Sequence, residues 1–383
     1  MRPMRVRMIG AVAVAALALV VPVTRVDAVS DLAACSLRPS EGTGPDNVGA
    51  LLESVDVLAP NDVWAVGSHM AGSAGTPFAE HWDGAAWRTT KLQLPKGSLF
   101  MTALYDVKAF APDDVWAVGT FTGDFPLVEH WDGTAWSLVQ APAMAGTEQI
   151  LTSVDGSGPD DLWVVGEIRG DDQQMHGVVL HRTSDSWHIV AAPAGSAVLQ
   201  GVTMVDGLPA VAGWSIDADG YARGLVARGI PDGGWSNADL GPSGRENTFI
   251  LSVSVDPSGA LWAAGFSNTS PDDDAARTFR FDGSSWTAVQ IPQQPGPARL
   301  LDVASDNAGT VAVGQTVTDG ATHALVLRFD GGAWSPMSSE SGSSAPDTLS
   351  GVAVWNADVW AVGRTVVTGA TYGVPAARVY SCG

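Results

Sequence analysis

The chain has 383 residues, a formal net charge of −21 and a hydrophobic content of 45%, with 44 Gly, 15 Trp and 2 Cys. This hydrophobic content excludes a disordered chain, and two cysteines exclude both a disulfide-dense small scaffold and a cysteine-rich zinc protein. The excess of 41 acidic over 20 basic residues argues against nucleic acid or an anionic membrane as the main partner.

The first predicted element is a secretory signal peptide over residues 1–28. Three arginines in the first seven residues precede an uncharged apolar run over 9–23. That run is short for a membrane span, which needs about 20 residues, and it is followed by a small-residue cleavage site at Ala28. Because no other stretch is long and apolar enough to cross a bilayer, we expect an exported, extracellular protein without a transmembrane segment.

An alternative for this region is a lipid anchor. Leu32-Ala33-Ala34-Cys35 resembles a bacterial lipobox, in which Cys35 would be acylated. A lipobox should follow the apolar run directly, whereas here a polar and charged spacer intervenes. The pattern therefore favours a cleaved signal peptide over a lipid-anchored protein.

From residue 50 onwards, two short motifs alternate along the chain. An apolar segment ending in Gly, first seen at 63–67, occurs seven times, and its glycines are 47 to 52 residues apart. A turn followed by Trp, first seen at 81–87, occurs six times at spacings of 48 to 51 residues. A further apolar run precedes each Gly motif, and Asp-Gly between apolar segments is a strong hairpin signal. Each unit therefore predicts four short strands, which we call A, B, C and D.

Four strands per unit at this period are typical of a β-propeller blade. The sequence thus predicts an all-β, seven-bladed β-propeller that occupies residues 29–383 as one domain. The seventh unit ends before its D strand, and residues 35–39 have the D-strand register, since Cys35 precedes Gly67 by 32 residues as Trp87 precedes Gly119. We expect this N-terminal strand to complete the seventh blade and close the ring without an exposed sheet edge.

The same register places the two cysteines close together. Aligning the C-terminus with earlier units puts Cys382 at the turn between strands C and D, beside the strand that starts at Cys35. We therefore predict a Cys35–Cys382 disulfide across the seam of the ring. Oxidation of this pair suits an exported protein.

Residues that recur once per blade are interpreted as packing residues. The repeated Trp side chains could stack on sugars, but a four-stranded sheet must bury both faces, and Trp buries the largest area. His81, His130 and His181 occupy one slot on three different blades and have no metal-ligand spacing, so no metal site is predicted there.

Asp106 and Asp302 are the first candidate site residues. Each A strand carries a small residue or Asp before a Val, and these two positions hold the Asp. The two carboxylates could face a central channel as an acidic or metal site, or could be solvated or hydrogen-bonded carboxylates. The second alternative is favoured, because charged groups are rarely buried without a partner.

The loops between strands B and C supply the other candidates. By propeller topology, the B–C loops and the D–A connections share one rim, which we call the B–C rim. These loops are variable and acid-rich, as an interaction surface would be. Asp217 and Asp219 belong to a fragment of a calcium-loop pattern that lacks its later Glu, so calcium is a weaker alternative to a turn with solvated carboxylates, and no cofactor is expected. Tyr221 and Arg169 lie on the same rim as candidate ligand-binding residues. Further aromatic and basic residues of this rim are Phe100, Phe121, Phe125, Trp214, Arg223 and Tyr372.

Residues 112–119 (Pro-Asp-Asp-Val-Trp-Ala-Val-Gly) and 129–136 (Glu-His-Trp-Asp-Gly-Thr-Ala-Trp) carry a family resemblance. They resemble repeats in secreted actinobacterial propellers of the kelch-like, galactose-oxidase-central-domain type. The resemblance covers residues 35–383 and implies the propeller fold. It does not specify an activity, because such propellers host many functions.

The functional prediction is a secreted, non-catalytic, monomeric binding propeller that holds a glycan or an extracellular protein at the B–C rim. It rests on loop variation confined to one rim and on the absence of a nucleophile elbow, a phosphate loop and a zinc-protease helix from the sequence. The alternative is a carbohydrate-active enzyme, a glycoside hydrolase or a polysaccharide lyase, that uses carboxylates of the rim or channel.

Overall fold

The computed structural model describes residues 36–40, 49–71, 74–97, 100–242, 244–270, 272–337, 347–366 and 373–381. Within these ranges the chain forms 28 strands, in seven four-stranded antiparallel sheets. The same ranges contain no helix and hence none that could cross a membrane. The predicted signal peptide over 1–28, together with Cys35, Cys382 and Tyr372, lies outside the described residues.

The seven sheets are the predicted blades, and each runs from strand A at the ring axis to strand D at the periphery. Blade one consists of β2 (Ala50–Ala59), β3 (Asp62–Ala71), β4 (Ala74–Trp82) and β5 (Trp87–Thr90). Blade two consists of β6 (Ala103–Ala111), β7 (Asp114–Phe121), β8 (Phe125–Trp131) and β9 (Trp136–Leu138). Blade three consists of β10 (Thr147–Gly158), β11 (Asp161–Arg169), β12 (Met175–Thr183) and β13 (Ser186–Val190). Blade four consists of β14 (Ser196–Val205), β15 (Leu208–Ile216), β16 (Ala222–Gly229) and β17 (Trp235–Leu240). Blade five consists of β18 (Asn247–Val255), β19 (Leu261–Asn268), β20 (Ala275–Phe281) and β21 (Trp286–Val289). Blade six consists of β22 (Ala298–Asp306), β23 (Gly309–Thr318), β24 (Ala321–Phe329) and β25 (Trp334–Pro336).

The seventh blade is built from both ends of the chain. It consists of β26 (Thr348–Trp355), β27 (Asp358–Val366), β28 (Gly373–Ser381) and the N-terminal strand β1 (Ser36–Ser40). Strand β1 pairs antiparallel with β28, from Ser36 opposite Ser381 to Ser40 opposite Ala377. The prediction that the N-terminal strand completes blade seven is therefore confirmed.

Every A strand carries a β-bulge at the same place. In blade two, Leu104 pairs with Gly119 and Asp106 pairs with Val118, whereas Tyr105 between them has no partner in the ladder. Bulges turn a side chain away from its regular direction and are common near functional sites. The seven bulged residues are Glu53, Tyr105, Thr152, Gln200, Leu251, Leu301 and Ser350.

The Gly that ends each B-strand motif makes this bulge possible. A Cβ atom on Gly119 would overlap the carbonyl oxygen of Ala103, and the Gly of every other blade faces the corresponding carbonyl. The inner strand thus approaches strand B more closely than any side chain would permit. The recurrence of Gly follows from this contact.

The repeated Trp side chains pack one blade against the next, as predicted. Trp64 is 1% exposed and lies in an apolar cluster with residues of blade two, where its ring meets that of Trp136 at 5.6 Å. Trp360 of blade seven packs in the same way into blade one, across the seam. Ala210 and Val311, which replace this Trp in blades four and six, are buried as well.

The repeated His side chains belong to structural clusters on the rim opposite the B–C rim. His130 Nε2 lies 2.8 Å from Asp114 Oδ1, and the Trp116 indole donates a hydrogen bond to the same oxygen at 2.9 Å. The rings of His130 and Trp116 stack with centroids 4.3 Å apart. His81 and His181 make the same contacts with an Asp and a Trp of their own blades.

Candidate functional site

The seven A strands enclose a polar cavity on the ring axis. Its volume is about 760 Å³, which lies in the range of small-molecule sites. Among the described residues, the cavity is lined by one Lys and six carboxylates: Glu53, Asp56, Asp106, Asp155, Glu167 and Asp302. The cavity is therefore strongly acidic, and its charged groups form three layers along the axis.

The first layer is the channel mouth, which we define as the seven bulged residues and Glu167. It lies where the A strands begin and the B strands end, on the side of the B–C rim. All eight residues line the cavity. Blades one to four and seven contribute polar side chains to the ring of bulges, whereas blades five and six contribute Leu251 and Leu301. The mouth is thus polar over most of its circumference and apolar over one arc.

Three side chains of the mouth interact electrostatically. Burial raises the pKa of Glu53 to about 7, against the attraction of Arg364. Burial also raises the pKa of Glu167. The negative charge of Glu148 raises this pKa further, and the positive charge of Arg169 lowers it. The pKa of Tyr105 rises to about 12 through burial and through the charges of Glu53 and Glu167, so its hydroxyl is a neutral donor at pH 7.

These three side chains also lack hydrogen-bond partners among the described residues. No described backbone or side-chain group donates to the carboxyl groups of Glu53 and Glu167 or bonds to the Tyr105 hydroxyl. The polar atoms of these side chains are not among the fully buried atoms that lack a partner, so they are accessible from the cavity, where water or a ligand can bond to them. Perturbed carboxyl groups that converge on a cavity without internal partners are typical of a binding or active site.

Asp106 lies in the second layer and bridges three blades. Its Oδ1 accepts a hydrogen bond from Ser54 Oγ at 2.6 Å, and its Oδ2 accepts from Ser153 Oγ and from the Val154 N–H, both at 2.8 Å. Burial nevertheless raises its pKa to about 6.

Asp302 has the same role between blades five and seven. It accepts from Ser252 Oγ at 2.6 Å and from the Val352 N–H at 2.7 Å. Burial, with a smaller contribution from the charge of Asp106, raises its pKa to about 7. Both candidates line the cavity, and both oxygens of each carboxyl group accept hydrogen bonds from donors of the protein itself.

The third layer contains a cation supplied by the chain. The Lys108 ammonium of blade two lies 3.7 Å from Asp56 of blade one and 3.2 Å from Asp155 of blade three. These two carboxylates raise the pKa of Lys108, so that it stays charged. Three neighbouring blades thus form an acid–lysine–acid arrangement beneath the mouth.

The predicted rim residues of blade four are held within their own loop. Asp217 accepts hydrogen bonds from the N–H groups of Asp219 and Tyr221, both at 2.9 Å, and from Arg223 Nε at 2.7 Å. Tyr221 is half-buried beside the Arg223 guanidinium, and Asp219 is exposed. The described residues include no group of three or more His, Cys, Asp or Glu arranged to hold a metal ion.

The other rim residues differ in how accessible they are. Arg169 of blade three pairs with Glu148 at 2.8 Å, beside the mouth residue Glu167. Phe100 and Phe125 of blade two are 47% and 58% exposed, whereas Phe121 is buried. Blade two therefore presents two accessible aromatic side chains on the same rim as Tyr105.

Glu53, Tyr105 and Glu167 were not among the site residues predicted from the sequence. A signal for the first two is present, because each A strand reads Leu or Ile, a variable residue, a small residue or Asp, and Val. The variable position is the bulge, and it alone changes from Glu to Tyr to Leu between blades. Glu167 follows its Gly motif on a B strand and shows no comparable signal.

Fold and cavity together define this chain as a seven-bladed β-propeller with a polar axial site. Comparisons with protein-family models and with curated proteins gave no match. Among solved structures, the chain is similar to an ulvan lyase from a polysaccharide lyase family, solved with bound -[GlcA(1-4)Rha3S]-, with a TM-score of 0.54, 11% identity and coverage of 92% of this chain and 95% of that one.

Two further solved structures are similar to the chain. One is a protein of unknown function from Dyadobacter fermentans, with a TM-score of 0.51, 11% identity and coverage of 91% of this chain and 99% of that one. The other is YjhT, with a TM-score of 0.49, 13% identity and coverage of 71% and 92%. At 11% identity, the similarity to the ulvan lyase and to the Dyadobacter fermentans protein shows the fold, and it gives no support for the finer kelch-like or actinobacterial assignment.

Proposed function

We propose that this chain is an extracellular carbohydrate-binding propeller whose ligand occupies the channel mouth. The observation that carries the proposal is the ring of bulged residues, which is polar on five blades and apolar at Leu251 and Leu301. A sugar ring presents hydroxyl groups at its edge and C–H groups on its faces. An arc of hydrogen-bonding side chains opposite two Leu side chains matches both surfaces.

Two exposed aromatic residues support a site that extends outwards from the mouth. Phe100 and Phe125 lie on the B–C rim of blade two, the blade that contributes Tyr105 to the mouth. Aromatic rings offer a large, rigid apolar surface for the C–H face of a sugar. A glycan longer than one unit would then lie over blade two.

The fold neighbour and the charge of the cavity constrain the glycan class. The similar ulvan lyase was solved with bound -[GlcA(1-4)Rha3S]-, which supports a carbohydrate ligand for this architecture. Six cavity carboxylates against one Lys would repel a polymer of uronates or sulfates. We therefore propose an uncharged or basic glycan as the ligand, rather than an acidic one.

The extracellular part of the proposal rests on the N-terminal segment. Its basic start, apolar run and small-residue site at Ala28 support export through a cleaved signal peptide, and the negative charge of the chain supports a soluble, monomeric state. N-terminal sequencing of the secreted protein is expected to give a mature chain that begins at Val29. Retention of residues 1–28, or a lipid on Cys35, would contradict this part.

Binding to uncharged oligosaccharides tests the site. We expect the Tyr105→Phe variant to bind such a ligand about tenfold more weakly, because a hydrogen bond to a sugar hydroxyl is lost. Ser284→Ala, which also removes one hydroxyl but at an exposed turn on the opposite rim, should leave the Kd unchanged. Titration calorimetry provides the measurement, and thermal unfolding verifies that both variants fold. Equal losses in the two variants, or no binding of any oligosaccharide, would refute the mouth as the site.

A glycoside hydrolase is the second candidate function. The pKa of Glu53 near 7 would let its carboxyl group donate a proton to a glycosidic oxygen at neutral pH. Ionised Glu167 would then take a proton from the water that attacks the anomeric carbon, so that one water is added across the broken bond. In this case Glu53→Gln should lower turnover of a bound oligosaccharide by more than about 100-fold. Chromatography that shows the bound glycan intact after long incubation favours pure binding.

A further inference from the structure

We infer that the glycan bound at the channel mouth carries a protonated amine and is therefore an amino sugar or an oligomer of amino sugars. This inference rests on the proposed function and specifies its ligand. It follows from a comparison of the mouth with the third layer of the same cavity.

The third layer shows how this cavity neutralises carboxylates. Blades one and three contribute Asp56 and Asp155, and blade two places the Lys108 ammonium between them at 3.7 and 3.2 Å. The N–H groups of Ala109 and Met204 complete the layer by donating to these carboxylates at 2.9 and 3.0 Å. Every acidic group of this layer therefore has a cation and a backbone donor.

The channel mouth repeats this arrangement without the ammonium. Blades one and three again contribute an acid each, Glu53 and Glu167, while blade two contributes the neutral Tyr105. Both acids act on Tyr105 through their charges, so all three side chains converge on one region. Unlike Asp106 and Asp302, they receive no hydrogen bond from the described residues.

The nearby arginines leave these carboxyl groups unpaired. Arg169 attracts Glu167 but is bound to Glu148 at 2.8 Å. Arg364 attracts Glu53 but forms no ion pair with it within the described part of the chain. Without a cation in contact, burial disfavours the charged forms of both carboxyl groups and raises their pKa values, whereas a ligand cation would favour those charged forms.

A ligand ammonium would complete the mouth as Lys108 completes the third layer. It offers three hydrogen-bond donors, enough for Glu53, Glu167 and the Tyr105 oxygen. Charge-assisted hydrogen bonds of this kind are about twice as strong as neutral ones. An acetylated or hydroxyl substituent at the same sugar position has no positive charge to offer.

The test compares three tetrasaccharides of equal length with the mature chain by titration calorimetry. These are the β-1,4 oligomers of glucosamine, of N-acetylglucosamine and of glucose, at pH 6.5 and low salt. We expect the glucosamine oligomer to bind at least about tenfold more tightly than the acetylated one, and this ratio to shrink in 0.5 M salt. Glu53→Gln and Glu167→Gln should each bring the ratio towards one. Asp185→Asn, a change at a fully exposed carboxylate of a C–D turn, should preserve it.

The outcomes separate this inference from the proposed function. If the glucose or acetylated oligomer binds as tightly as the glucosamine oligomer, the amine inference is overturned while carbohydrate binding stands. If no oligomer binds, the proposed function itself fails. A preference for glucosamine that survives in both folded Gln variants would also overturn the inference, because the amine would then be recognised elsewhere.

Discussion

Asp106 and Asp302 hold neighbouring blades together through single carboxyl groups. Each accepts a serine hydroxyl from the preceding blade and a backbone N–H from the following blade. These hydrogen bonds favour the ionised form, but burial beside the cavity disfavours it more strongly, so both pKa values are raised. The same residues that connect the blades therefore make stability depend on pH.

The direction of this dependence follows from the raised pKa values. In the unfolded chain an Asp titrates near pH 4, whereas Asp106 and Asp302 titrate at about 6 and 7 in the folded protein. Between pH 4 and these folded-state pKa values, the folded protein binds more protons than the unfolded chain. The stabilisation that the two protonated Asp side chains provide is therefore complete below about pH 4 and is lost as the pH rises through 6 and 7. Since one pKa unit corresponds to about 1.4 kcal/mol, the rise of the pKa from about 4 to about 6 or 7 corresponds to roughly 3 to 4 kcal/mol for each group.

We therefore expect the protein to unfold at a lower temperature at pH 8 than at pH 5.5. Asp302→Asn should reduce the difference in Tm between the two pH values, because it removes the raised carboxyl group. Asp219→Asn, at an exposed carboxylate on the B–C rim, is the control and should leave the difference as in the wild type. Calorimetric unfolding scans supply the measurement. An Asp302→Asn variant with the full wild-type difference would contradict this account.

At the scale of elements, the bulged A strand and the Gly of strand B form one unit. The close approach of the two strands requires Gly, and the bulge that follows directs one variable side chain into the cavity. The constant residues of the repeat thus build the ring, whereas the bulge position is free to vary. This division lets seven similar blades carry a site that is not symmetric.

Gly119→Ala should destabilise the protein by about 3 kcal/mol, since its Cβ would overlap the Ala103 carbonyl and neither backbone can move without distorting the sheet. Gly158→Ala is the matched control. It lies at an A-strand end, and no atom lies within 4 Å of its added Cβ. Chemical denaturation of both variants measures the difference. Equal stability of the two would show that the bulge does not depend on Gly.

At the scale of the whole molecule, the ring is closed by pairing the two ends of the chain. Strand β1 covers the outer edge of β28, which would otherwise expose its backbone donors and acceptors. The Trp360 cluster adds apolar contacts between blades seven and one. Separation of the seam would cost both the strand pairing and this packing.

The Cys35–Cys382 disulfide remains a prediction at this seam. Ser36 and Ser381, the neighbours of the two cysteines in sequence, pair directly in the sheet. In the chain-entropy model, a disulfide that closes nearly the whole chain stabilises it by on the order of 5 kcal/mol. We expect Cys35→Ser to lower the Tm of the oxidised protein to that of the reduced wild type.

Peptide mapping without reductant checks the same prediction chemically. It should yield one linked peptide pair that contains both cysteines. Two free thiols in the secreted protein would refute the disulfide.

Prediction from the sequence succeeded where a residue is constrained by its repeat. The Gly motifs, the Asp-Gly turns and the Trp positions specify the strands, and the register of Cys35 specifies the ring closure. For Asp106 and Asp302, whose slot recurs in every blade, the sequence offered a position on the channel only as the weaker alternative to solvated or hydrogen-bonded carboxylates. It did not identify Glu53 or Glu167, because these residues interrupt the pattern and lie about 110 positions apart.

By itself, the sequence determined the architecture of this protein. A pattern of four strands that is repeated seven times can bury its apolar faces only when each blade packs on the next. Only the tertiary structure decided where the site lies. Closure of the ring brings one bulged residue of each blade to a common axis, and electrostatic interactions there depend on distances through space. Glu53, Tyr105 and Glu167 therefore acquire their shared environment, and their raised pKa values, from the fold.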